Sequence, residues 1–397
     1  MNIALVTPEF ITENNFDGGL SNYIYRLSLS LLQIGHTPIV YLLSDENDRI
    51  IINGFEVVKI KKRFINQRRF LEQKGIYKYF FKSFFIIFDS YIVNKKINLD
   101  HKKKSIDIIQ FAHLGALALF SSSKIPCVIR MSSYTPLINK AFNKPGGIQQ
   151  NFWEQLAIRK CGNVFSPSKI ISNIESKIIK KEVRVIESPF IKEPLNFDYD
   201  IFNEKIIGKE YFLFFGSLNL LKGIETIGYC LERIFQEFSS KYFVFVGKDQ
   251  GIHGISCYEF LKKQAKEYQD KIIYIDKIPH NKLYPIIQNA KLVILPSRID
   301  NFPNTCIEAM AFKKIVIGTI GTSFEQLIDH GKNGFLISVD DSDHLFSTIK
   351  DVMNLPILLT NDISENAFQR IKKLQPEIVV AELINYYEQV IIDRKRG

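Results

Sequence analysis

The chain has 397 residues, a formal net charge of +10 and 46% hydrophobic residues. This length predicts two domains, each able to bury a core, and a content of 21 glycines and 14 prolines excludes a collagen-like or low-complexity chain. The five cysteines are scattered and form no Cys-x-x-Cys pair, so neither a disulfide framework nor a thiolate zinc site is predicted, and a reducing compartment is favoured.

The amino terminus reads as a first strand, Asn2 to Thr7, rather than as an export signal. No basic stretch precedes its apolar residues, and the chain becomes polar directly after them, which is unlike a secretory signal peptide. A cytoplasmic location is therefore the expectation.

Short β-branched or aromatic runs alternate with longer amphipathic stretches, which predicts an α/β fold of two doubly wound, Rossmann-like domains. The predicted strands are 2–7, 38–43, 107–111, 126–130, 163–166 and 183–186 in the first half, and 211–215, 242–246, 272–275, 291–295, 314–318 and 334–337 in the second. The predicted helices are 20–34, 150–160, 223–238, 257–268 and 376–393.

A polar, proline-containing stretch without periodicity separates the two halves. We predict an N-terminal domain at 1–190, a linker at 191–207, a C-terminal domain at 208–375 and a C-terminal helix at 376–397 that can pack back on the N-terminal domain. Doubly wound sheets bind ligands at the carboxyl ends of their strands, so a ligand cleft is expected where the two domains face each other.

The positive charge is concentrated in segment 59–104, which has fourteen lysines and arginines against three acidic residues and by itself exceeds the net charge of the chain. Its aromatic run, 76–93, is interrupted by Lys78, Lys82 and Asp89 on one helical face, so no membrane-spanning helix is predicted. Three interpretations stay open: binding to an anionic membrane surface, a buried helix with a solvated basic flank, and nucleic-acid binding without a recognised module.

The most informative stretch follows the strand 291–295 and leads into a predicted helix. Asn304 or Thr305 is the expected cap of this helix. Its first turn would offer N–H groups and a positive dipole end to an anion. Glu308, one turn inside, could accept hydrogen bonds from a ribose, and Asp300 could accept them from a sugar. The alternative is an ordinary capped helix that Glu308 stabilises.

Two glycine-containing loops are further phosphate candidates. Gly216 ends a predicted strand, and the Lys222-Gly223 pair then opens a helix, so Lys222 and nearby backbone N–H groups could meet a diphosphate. Gly18 and Gly19, after the first strand, would either let the backbone approach a phosphate or form a flexible turn. A complete Gly-x-Gly-x-x-Gly fingerprint and a Walker loop are both missing.

In this order, the motifs resemble those of glycosyltransferase family 4, the retaining nucleotide-sugar enzymes of the GT-B fold. The resemblance extends over nearly the whole chain, and Asp300 and Glu308 match the family's acidic-x7-Glu signature. The other matching segments are Thr7-Pro-Glu, Gly18-Gly19, Gly216-Ser-Leu, Lys222-Gly223, Leu295-Pro-Ser and 321–334.

The resemblance implies a role for each matched residue. Glu308 would bind the ribose, Asp300 would contact the transferred sugar and Lys222 would neutralise the diphosphate. Backbone contacts to the donor are implied for Phe302, Pro303, Asn304 and Thr305, and for Gly18 and Gly19 of the other domain. Selection of the donor base and sugar is expected from the loop 276–281.

This sequence departs from the family pattern at several positions. Ser217 stands where the family usually has an arginine, so one cation for the diphosphate is missing. Arg130 is a candidate substitute, with a scaffold role as the alternative. Asp300 replaces the commoner glutamate and has a shorter reach. His113 follows the strand 107–111, near the family's histidine that faces the donor sugar, and is either a sugar contact or a structural histidine.

The predicted reaction is transfer of a sugar from a nucleoside diphosphate-sugar to an acceptor hydroxyl with retention, without a metal or other cofactor. The expected acceptor is a lipid-linked oligosaccharide of bacterial surface polysaccharide synthesis, at the inner face of the cell membrane, and no nucleic-acid partner is expected. The alternatives are a nucleotide-sugar epimerase or hydrolase of the same fold, and a non-catalytic basic protein that binds membranes or nucleic acid.

Overall fold

The computed structural model describes residues 1–13, 19–62, 76–134, 136, 148–191 and 196–396. The chain divides into two compact units, one formed by Met1–Ile191 with Leu374–Gly397 and the other by Lys192–Lys373. Each unit has a sheet with helical connections between its parallel strands. The predicted α/β class with two Rossmann-like domains is confirmed.

The sheet of the first unit is parallel except at one edge. Its strands are β1 (Asn2–Thr7), β2 (Thr37–Ser44), β3 (Asp48–Ile52), β4 (Phe55–Lys61), β5 (Ile108–Ala112), β6 (Cys127–Arg130), β7 (Val164–Ser166) and β8 (Arg184–Val185). They lie in the order β3-β4-β2-β1-β5-β6-β7-β8, with β3 antiparallel to β4. This hairpin was not predicted, although its Asn53-Gly54 turn, with positive φ at both residues, is a strong hairpin signal.

The first unit's helices are α1 (Gly19–Gln33), α2 (Ile76–Lys103), α3 (Ile148–Cys161) and α4 (Lys169–Ile179), and a 3₁₀ segment spans Leu114–Phe120. Helix α2 buries Phe85, Val93 and Ile97 in the core, while Phe84 and Tyr91 stay 40% and 48% exposed. One side of α2 is therefore buried, as the buried-helix interpretation predicts, and the other carries exposed aromatic rings. Binding of this segment to a membrane stays a prediction. In the described part of the chain, no helix combines the length and apolar character needed to cross a bilayer.

The second unit has a parallel sheet whose strand order reverses at its first strand. The strands are β9 (Glu210–Phe215), β10 (Lys241–Val246), β11 (Ile272–Ile275), β12 (Leu292–Ile294), β13 (Val316–Thr319) and β14 (Phe335–Ile337). Their order is β11-β10-β9-β12-β13-β14, so the chain leaves β9 on one side and returns at β12 on the other. Open α/β sheets bind ligands at such a reversal, beyond the carboxyl ends of the strands.

The second unit's helices are α5 (Asp200–Lys205), α6 (Ile224–Glu237), α7 (Cys257–Ala265), α8 (His280–Asn289), α9 (Asn304–Ala311), α10 (Phe324–Leu327), α11 (Ser342–Met353) and α12 (Ile357–Lys372). Helix α5 lies within the predicted linker 191–207, which is therefore partly helical. The Asp198 carboxylate accepts a hydrogen bond from the Asp200 backbone N–H at 3.0 Å and forms an ion pair with Lys282 at 3.2 Å. This side-chain-to-backbone turn at Asp198 directly precedes Tyr199, the cap residue of α5.

The C-terminal helix α13 (Pro376–Arg396) lies on the first unit. The Tyr387 hydroxyl donates to Gln110 Oε1 of β5 at 2.6 Å, and the Tyr386 hydroxyl donates to the Val164 carbonyl of β7 at 3.2 Å. Arg394 donates to the Ile125 carbonyl, just before β6, at 2.9 Å. The last segment of the chain thus completes the core of the first unit.

Candidate functional site

Two loops of the second unit lie side by side where the strand order reverses. One follows β9 over residues 216–223, and the other follows β12 over residues 295–300. The Arg298 backbone N–H donates to the Leu221 carbonyl at 2.8 Å, which joins the two loops directly. The sequence placed phosphate and sugar contacts on these loops separately, and the reversal at β9 and β12 brings them together.

The two loops approach so closely that only glycine fits at one position. Gly223 has a φ of +75°, and a Cβ atom there would lie 1.9 Å from the Pro296 carbonyl oxygen. At the start of the same loop, a Cβ atom on Gly216 would lie 3.5 Å from Thr305 Cγ2, in the first turn of α9. The β9 loop is therefore held between the β12 loop and the beginning of α9.

Lys222 and Asp300 form an ion pair across these loops. Lys222 Nζ lies 2.5 Å from Asp300 Oδ2, and the Asp300 side chain is only 12% exposed. The Lys222 backbone is fixed as well, because its N–H donates to Asn219 Oδ1 at 3.0 Å. The two charged residues predicted as diphosphate and sugar contacts therefore lie within hydrogen-bond distance of each other.

Arg298 holds the β12 loop in place, and this residue was not predicted from the sequence. Its guanidinium contacts Glu225 at 2.6 Å, in the first turn of α6, and Asp340 at 2.5 Å. Burial alone would raise the pKa of Glu225, but hydrogen bonds from His253 and Tyr229 and the charge of Arg298 hold it below its ordinary value. Glu225 thus stays a carboxylate that anchors Arg298.

Helix α9 begins at Asn304, and its cap position is occupied by Pro303. The prediction that Asn304 or Thr305 is the cap is therefore wrong. Proline has a restricted φ, here −73°, which suits it to the entry of a helix. Proline has no side-chain acceptor, so the cap residue itself does not bond the first N–H groups of α9, which lie at the positive end of the helix dipole.

Glu308 lies one turn inside α9 and is 6% exposed. Its Oε1 atom is 3.6 Å from Nε2 of His280, the first residue of α8. The His280 ring stacks on Tyr284 with centroids 5.4 Å apart. The sequence singled out His280 only as part of the loop 276–281, a region for donor selection. In the structure its imidazole lies next to Glu308, the residue predicted to bind the ribose.

His113 is a buried, neutral histidine of the first unit. Its Nδ1 accepts the Ser132 backbone N–H at 3.1 Å, and its Nε2 lies 3.2 Å from the Ser133 hydroxyl. Burial, and then the charge of Arg130, lower the pKa of His113 to about 3. The acceptor role of Nδ1 assigns the proton to Nε2. The sugar contact predicted for His113 stays a prediction.

Arg130 is also buried in the first unit. Its two terminal nitrogens donate to the hydroxyls of Ser132 at 2.6 Å and Ser188 at 2.8 Å. The guanidinium lies 3.6 Å from the centre of the Tyr23 ring, in a cation–π contact. These contacts favour the scaffold alternative for Arg130 over the diphosphate contact.

The remaining predicted donor residues lie on or near loop ends. Ser217 is partly exposed in the β9 loop, and Phe302 is nearly buried ahead of α9. Gly19 is exposed as the first residue of α1, with open space around its Cα atom. Gly18 lies outside the described residues.

The close approach at Gly223 generates a matched pair of substitutions. Gly208 has a φ of +76°, like Gly223, but no atom lies within 4 Å of where its Cβ would be. We expect Gly208→Ala to lower the free energy of unfolding only by the cost of the backbone strain, about 1–2 kcal/mol. Gly223→Ala should cost at least about 1–3 kcal/mol more because of the overlap with Pro296. Urea unfolding of the full chain, followed by circular dichroism, measures both, and equal losses would contradict the packing of the two loops.

The lowered pKa of His113 predicts how the stability of the first unit depends on pH. Below pH 6.5 the unfolded chain takes up a proton that folded His113 refuses down to a pKa of about 3, so stability falls as the pH decreases through this window. His113 contributes up to about 1.4 kcal/mol per pH unit to the slope of the free energy of unfolding against pH. His113→Gln should remove this contribution and so make the slope less steep. The fluorescence of Trp153, the single tryptophan, reports unfolding of the first unit, and parallel pH curves for the two proteins would refute the assignment.

Comparison with known proteins finds a family match within the second unit. Residues 198–370 match the family model described as Glycosyl transferases group 1. The chain is 22% identical over 379 residues to the phosphatidylinositol N-acetylglucosaminyltransferase gpi3 subunit of Schizosaccharomyces pombe, covering 92% of this chain and 76% of that protein. It is 20% identical over 414 residues to an uncharacterized glycosyltransferase of Methanocaldococcus jannaschii, covering 98% of each.

Solved structures agree on the fold. Sucrose-phosphate synthase from Thermosynechococcus elongatus superimposes with a TM-score of 0.75 at 16% identity, over 99% of each chain. The structural relatives are GT-B glycosyltransferases, so the chain has the GT-B type of fold. The match to the model described as Glycosyl transferases group 1 lies within its second unit.

Proposed function

We propose that the protein is a retaining glycosyltransferase of family 4, which moves a sugar from a nucleoside diphosphate-sugar to an acceptor hydroxyl without a metal. The observation that carries this proposal is the Lys222–Asp300 pair, at 2.5 Å, where the strand order of the second unit reverses. A cation and a carboxylate in contact can bind two neighbouring groups of one nucleoside diphosphate-sugar. The diphosphate competes for Lys222, and a sugar hydroxyl donates to Asp300.

The negative charge that develops on the leaving diphosphate is the main electrostatic demand of this reaction. Lys222 supplies a full positive charge, and in this proposal the first turn of α9 adds backbone N–H groups and the helix dipole. Thr305 of this turn packs beside Gly216 of the loop that carries Lys222, so both sources of positive potential lie around the same loop. These groups stabilise the diphosphate more as its charge grows, which is how they would lower the barrier.

In the proposed step, the bond between the anomeric carbon and the leaving phosphate oxygen breaks through an oxocarbenium-like state. The acceptor oxygen attacks the same face of the sugar, and the leaving phosphate oxygen takes the acceptor's proton. No carboxylate needs to act as a covalent nucleophile. Asp300 orients the sugar, and the Glu308 carboxylate, one turn inside α9, accepts hydrogen bonds from the ribose hydroxyls.

The first-unit residues have subsidiary roles in the proposal. Because burial keeps His113 neutral, we propose that its Nε2–H exchanges the Ser133 hydroxyl for a hydroxyl of the donor sugar and does not stabilise charge. Gly18 and Gly19 would approach the pyrophosphate through their backbone. Arg130 supports this region from within the core by its hydrogen bond to the hydroxyl of Ser132, whose backbone N–H donates to His113.

Nucleotide titration and turnover test the two central assignments. Glu308→Gln should weaken binding of UDP, GDP or ADP, whichever the protein prefers, by about 10- to 100-fold, because charge-assisted hydrogen bonds to the ribose are lost. Lys222→Ala should lower turnover by about two to three orders of magnitude. Calorimetry measures the first effect, and mass-spectrometric detection of released nucleotide across a donor panel measures the second.

Matched controls separate these effects from general damage. Glu204→Gln and Lys205→Ala change exposed residues of the same unit and should leave both quantities unchanged. Equal nucleotide affinity in wild type and Glu308→Gln would remove Glu308 from the ribose role. An unchanged rate in Lys222→Ala would remove Lys222 from the diphosphate role.

For the acceptor, we propose a lipid-linked oligosaccharide of bacterial surface polysaccharide synthesis, reached from the cytoplasmic face of the membrane. The name of the S. pombe relative describes transfer to phosphatidylinositol, a lipid acceptor. Within this chain, support comes from an exposed patch on the first unit, here named the aromatic–lysine surface. It consists of Phe84, Phe88, Tyr91, Lys95, Phe120, Phe152, Leu156 and Lys160.

Ring contacts join the residues of α2 into a continuous strip. The centroid of Phe88 lies 6.0 Å from that of Phe84 and 6.5 Å from that of Tyr91. Tyr91 meets Phe120, at the end of the 3₁₀ segment, at 6.1 Å. Lys95 Nζ lies 6.0 Å from the centre of the Tyr91 ring, so a positive charge accompanies the exposed aromatic rings.

Helix α3 continues the same surface. Lys160 Nζ lies 5.8 Å from the Phe120 ring centre, and Leu156 and Phe152 precede Lys160 by one and two turns on the same face. Phe152 is 59% exposed. Aromatic residues mixed with lysines suit the interface of an anionic bilayer, where rings enter the headgroup region and lysines meet the lipid charge.

Vesicle co-sedimentation tests the aromatic–lysine surface. The protein should bind vesicles containing phosphatidylglycerol at low salt, and Tyr91→Ser/Phe120→Ser should weaken binding by about tenfold or more. Lys95→Gln/Lys160→Gln should also weaken it by about tenfold, through lost attraction to anionic lipid. The control, Ile357→Ser/Leu358→Ser, removes two side chains that are each 75% exposed on the second unit and should have no effect. Equal losses in all three variants, or no vesicle binding, would reject this surface.

The alternatives predict different products. An epimerase or hydrolase would turn over the donor without an acceptor, whereas the proposed transferase needs one. A non-catalytic nucleic-acid-binding protein would show salt-dependent nucleic-acid binding and no affinity for nucleotide-sugars.

A further inference from the structure

Two cysteines of the first unit lie in direct contact. Cys127 Sγ, at the start of β6, is 3.2 Å from Cys161 Sγ, at the end of α3. Neither is in a disulfide. The Cys161 thiol also lies 3.3 Å from the Cys127 carbonyl, so the two residues are adjacent in backbone as well as in side chain.

The fold explains this contact. Strands β6 and β7 are parallel neighbours, with Ile129 opposite Val164, so the start of β6 lies beside the turn that joins α3 to β7. In this turn the Asn163 side chain donates to the Cys127 carbonyl at 3.2 Å. The sulfur atoms need to approach by only about 1.2 Å, since a disulfide bond is about 2.0 Å long.

Hydrogen-bond geometry favours Cys127 as the nucleophile, because the Cys161 Sγ lies 3.3 Å and 3.6 Å from the carbonyl oxygens of Cys127 and Asn163, to which only a protonated sulfur can donate. A hydrogen bond from the Cys161 thiol, the Ser121 hydroxyl and the charges of Arg394 and Lys160 lower the pKa of Cys127, against the opposing effect of burial. The pKa of Cys161 is raised, by its interaction with Cys127 and by burial. Cys161 is the more accessible of the two, because it is only partly buried.

We propose that Cys127 and Cys161 form a peroxide-sensitive dithiol that closes to an intramolecular disulfide. The Cys127 thiolate attacks one oxygen of hydrogen peroxide and the O–O bond breaks. The released hydroxide takes up the proton that the thiol had lost and leaves as water, so that Cys127 becomes a sulfenic acid. The Cys161 sulfur then attacks the Cys127 sulfur and releases a second water. Two thiols and one peroxide become one disulfide and two waters.

The disulfide would link β6 to the end of α3 beneath the C-terminal helix. Arg394 of α13 holds the Ile125 carbonyl just before Cys127, and Tyr386 holds the Val164 carbonyl just after Cys161. Closure would therefore fasten the same sheet edge that α13 covers. This modification site lies on the first unit and does not depend on the proposed sugar transfer.

The other cysteines provide internal references. Cys230, Cys257 and Cys306 are fully buried. Burial raises the pKa of Cys230 and of Cys257 to about 12, and that of Cys306 is raised for the same reason. Thiols of this kind react slowly with peroxide because the thiolate is scarce.

The test is peroxide treatment of the full chain, followed by alkylation under denaturing conditions and peptide mass spectrometry. We expect Cys127 and Cys161 to lose alkylation at least about tenfold faster than the other cysteines, and to appear in one cross-linked peptide that lacks two hydrogens. Dithiothreitol should restore both thiols. Equal reaction of all five cysteines, or no cross-linked peptide, would overturn the proposal.

Variants identify the order of the two steps. In Cys161→Ser, the sulfenic acid on Cys127 should persist and be trapped by dimedone, whereas wild type should give little adduct. Cys230→Ser, the matched control, should still form the disulfide. If dimedone instead labels Cys161 in Cys127→Ser and labels nothing in Cys161→Ser, Cys161 is the nucleophile and the proposed step is wrong.

Discussion

The reversal of strand order between β9 and β12 is the constraint on which the candidate site depends. It places the two loops that follow these strands next to each other, and the Arg298–Leu221 hydrogen bond and the close approach of Gly223 to Pro296 hold them there. Lys222 and Asp300 meet only because their backbones are fixed in this way. A ligand site built on two rigid strand ends needs little reorganisation when the ligand binds.

Charge is used differently in the two units. In the second unit, few groups act at the site, and each has a structural partner: Lys222 has Asp300, and Arg298 has Glu225 and Asp340. In the first unit, Arg130 is buried under Tyr23 and hydrogen-bonded to serines, and the lysines of the aromatic–lysine surface accompany exposed rings. The proposed anion recognition at the site therefore relies on a few placed groups. The excess charge of the chain lies elsewhere, in segment 59–104 of the first half.

Sequence patterns predicted most of the fold because parallel, buried strands are continuous apolar runs. β1 and β11 were placed with their observed limits, and most other strands differ by one or two residues at their ends. The β3–β4 hairpin was missed although β4 is mostly buried, because the five-residue β3 is largely exposed and its isoleucines do not alternate with polar residues. The cap of α9 was misplaced by the usual preference for asparagine or threonine, where the restricted φ of proline decided the first turn instead.

For the site, motif spacing by itself determined which residues carry charge and lie near strand ends: Lys222, Asp300 and Glu308. It also showed that the excess charge belongs to one segment of the first half. Only the tertiary structure decided that Lys222 contacts Asp300, that Arg298 anchors their loops, that His280 lies beside Glu308 and that Cys127 touches Cys161. These contacts join residues that are distant along the chain, and they depend on strand order and register, which local sequence patterns do not encode.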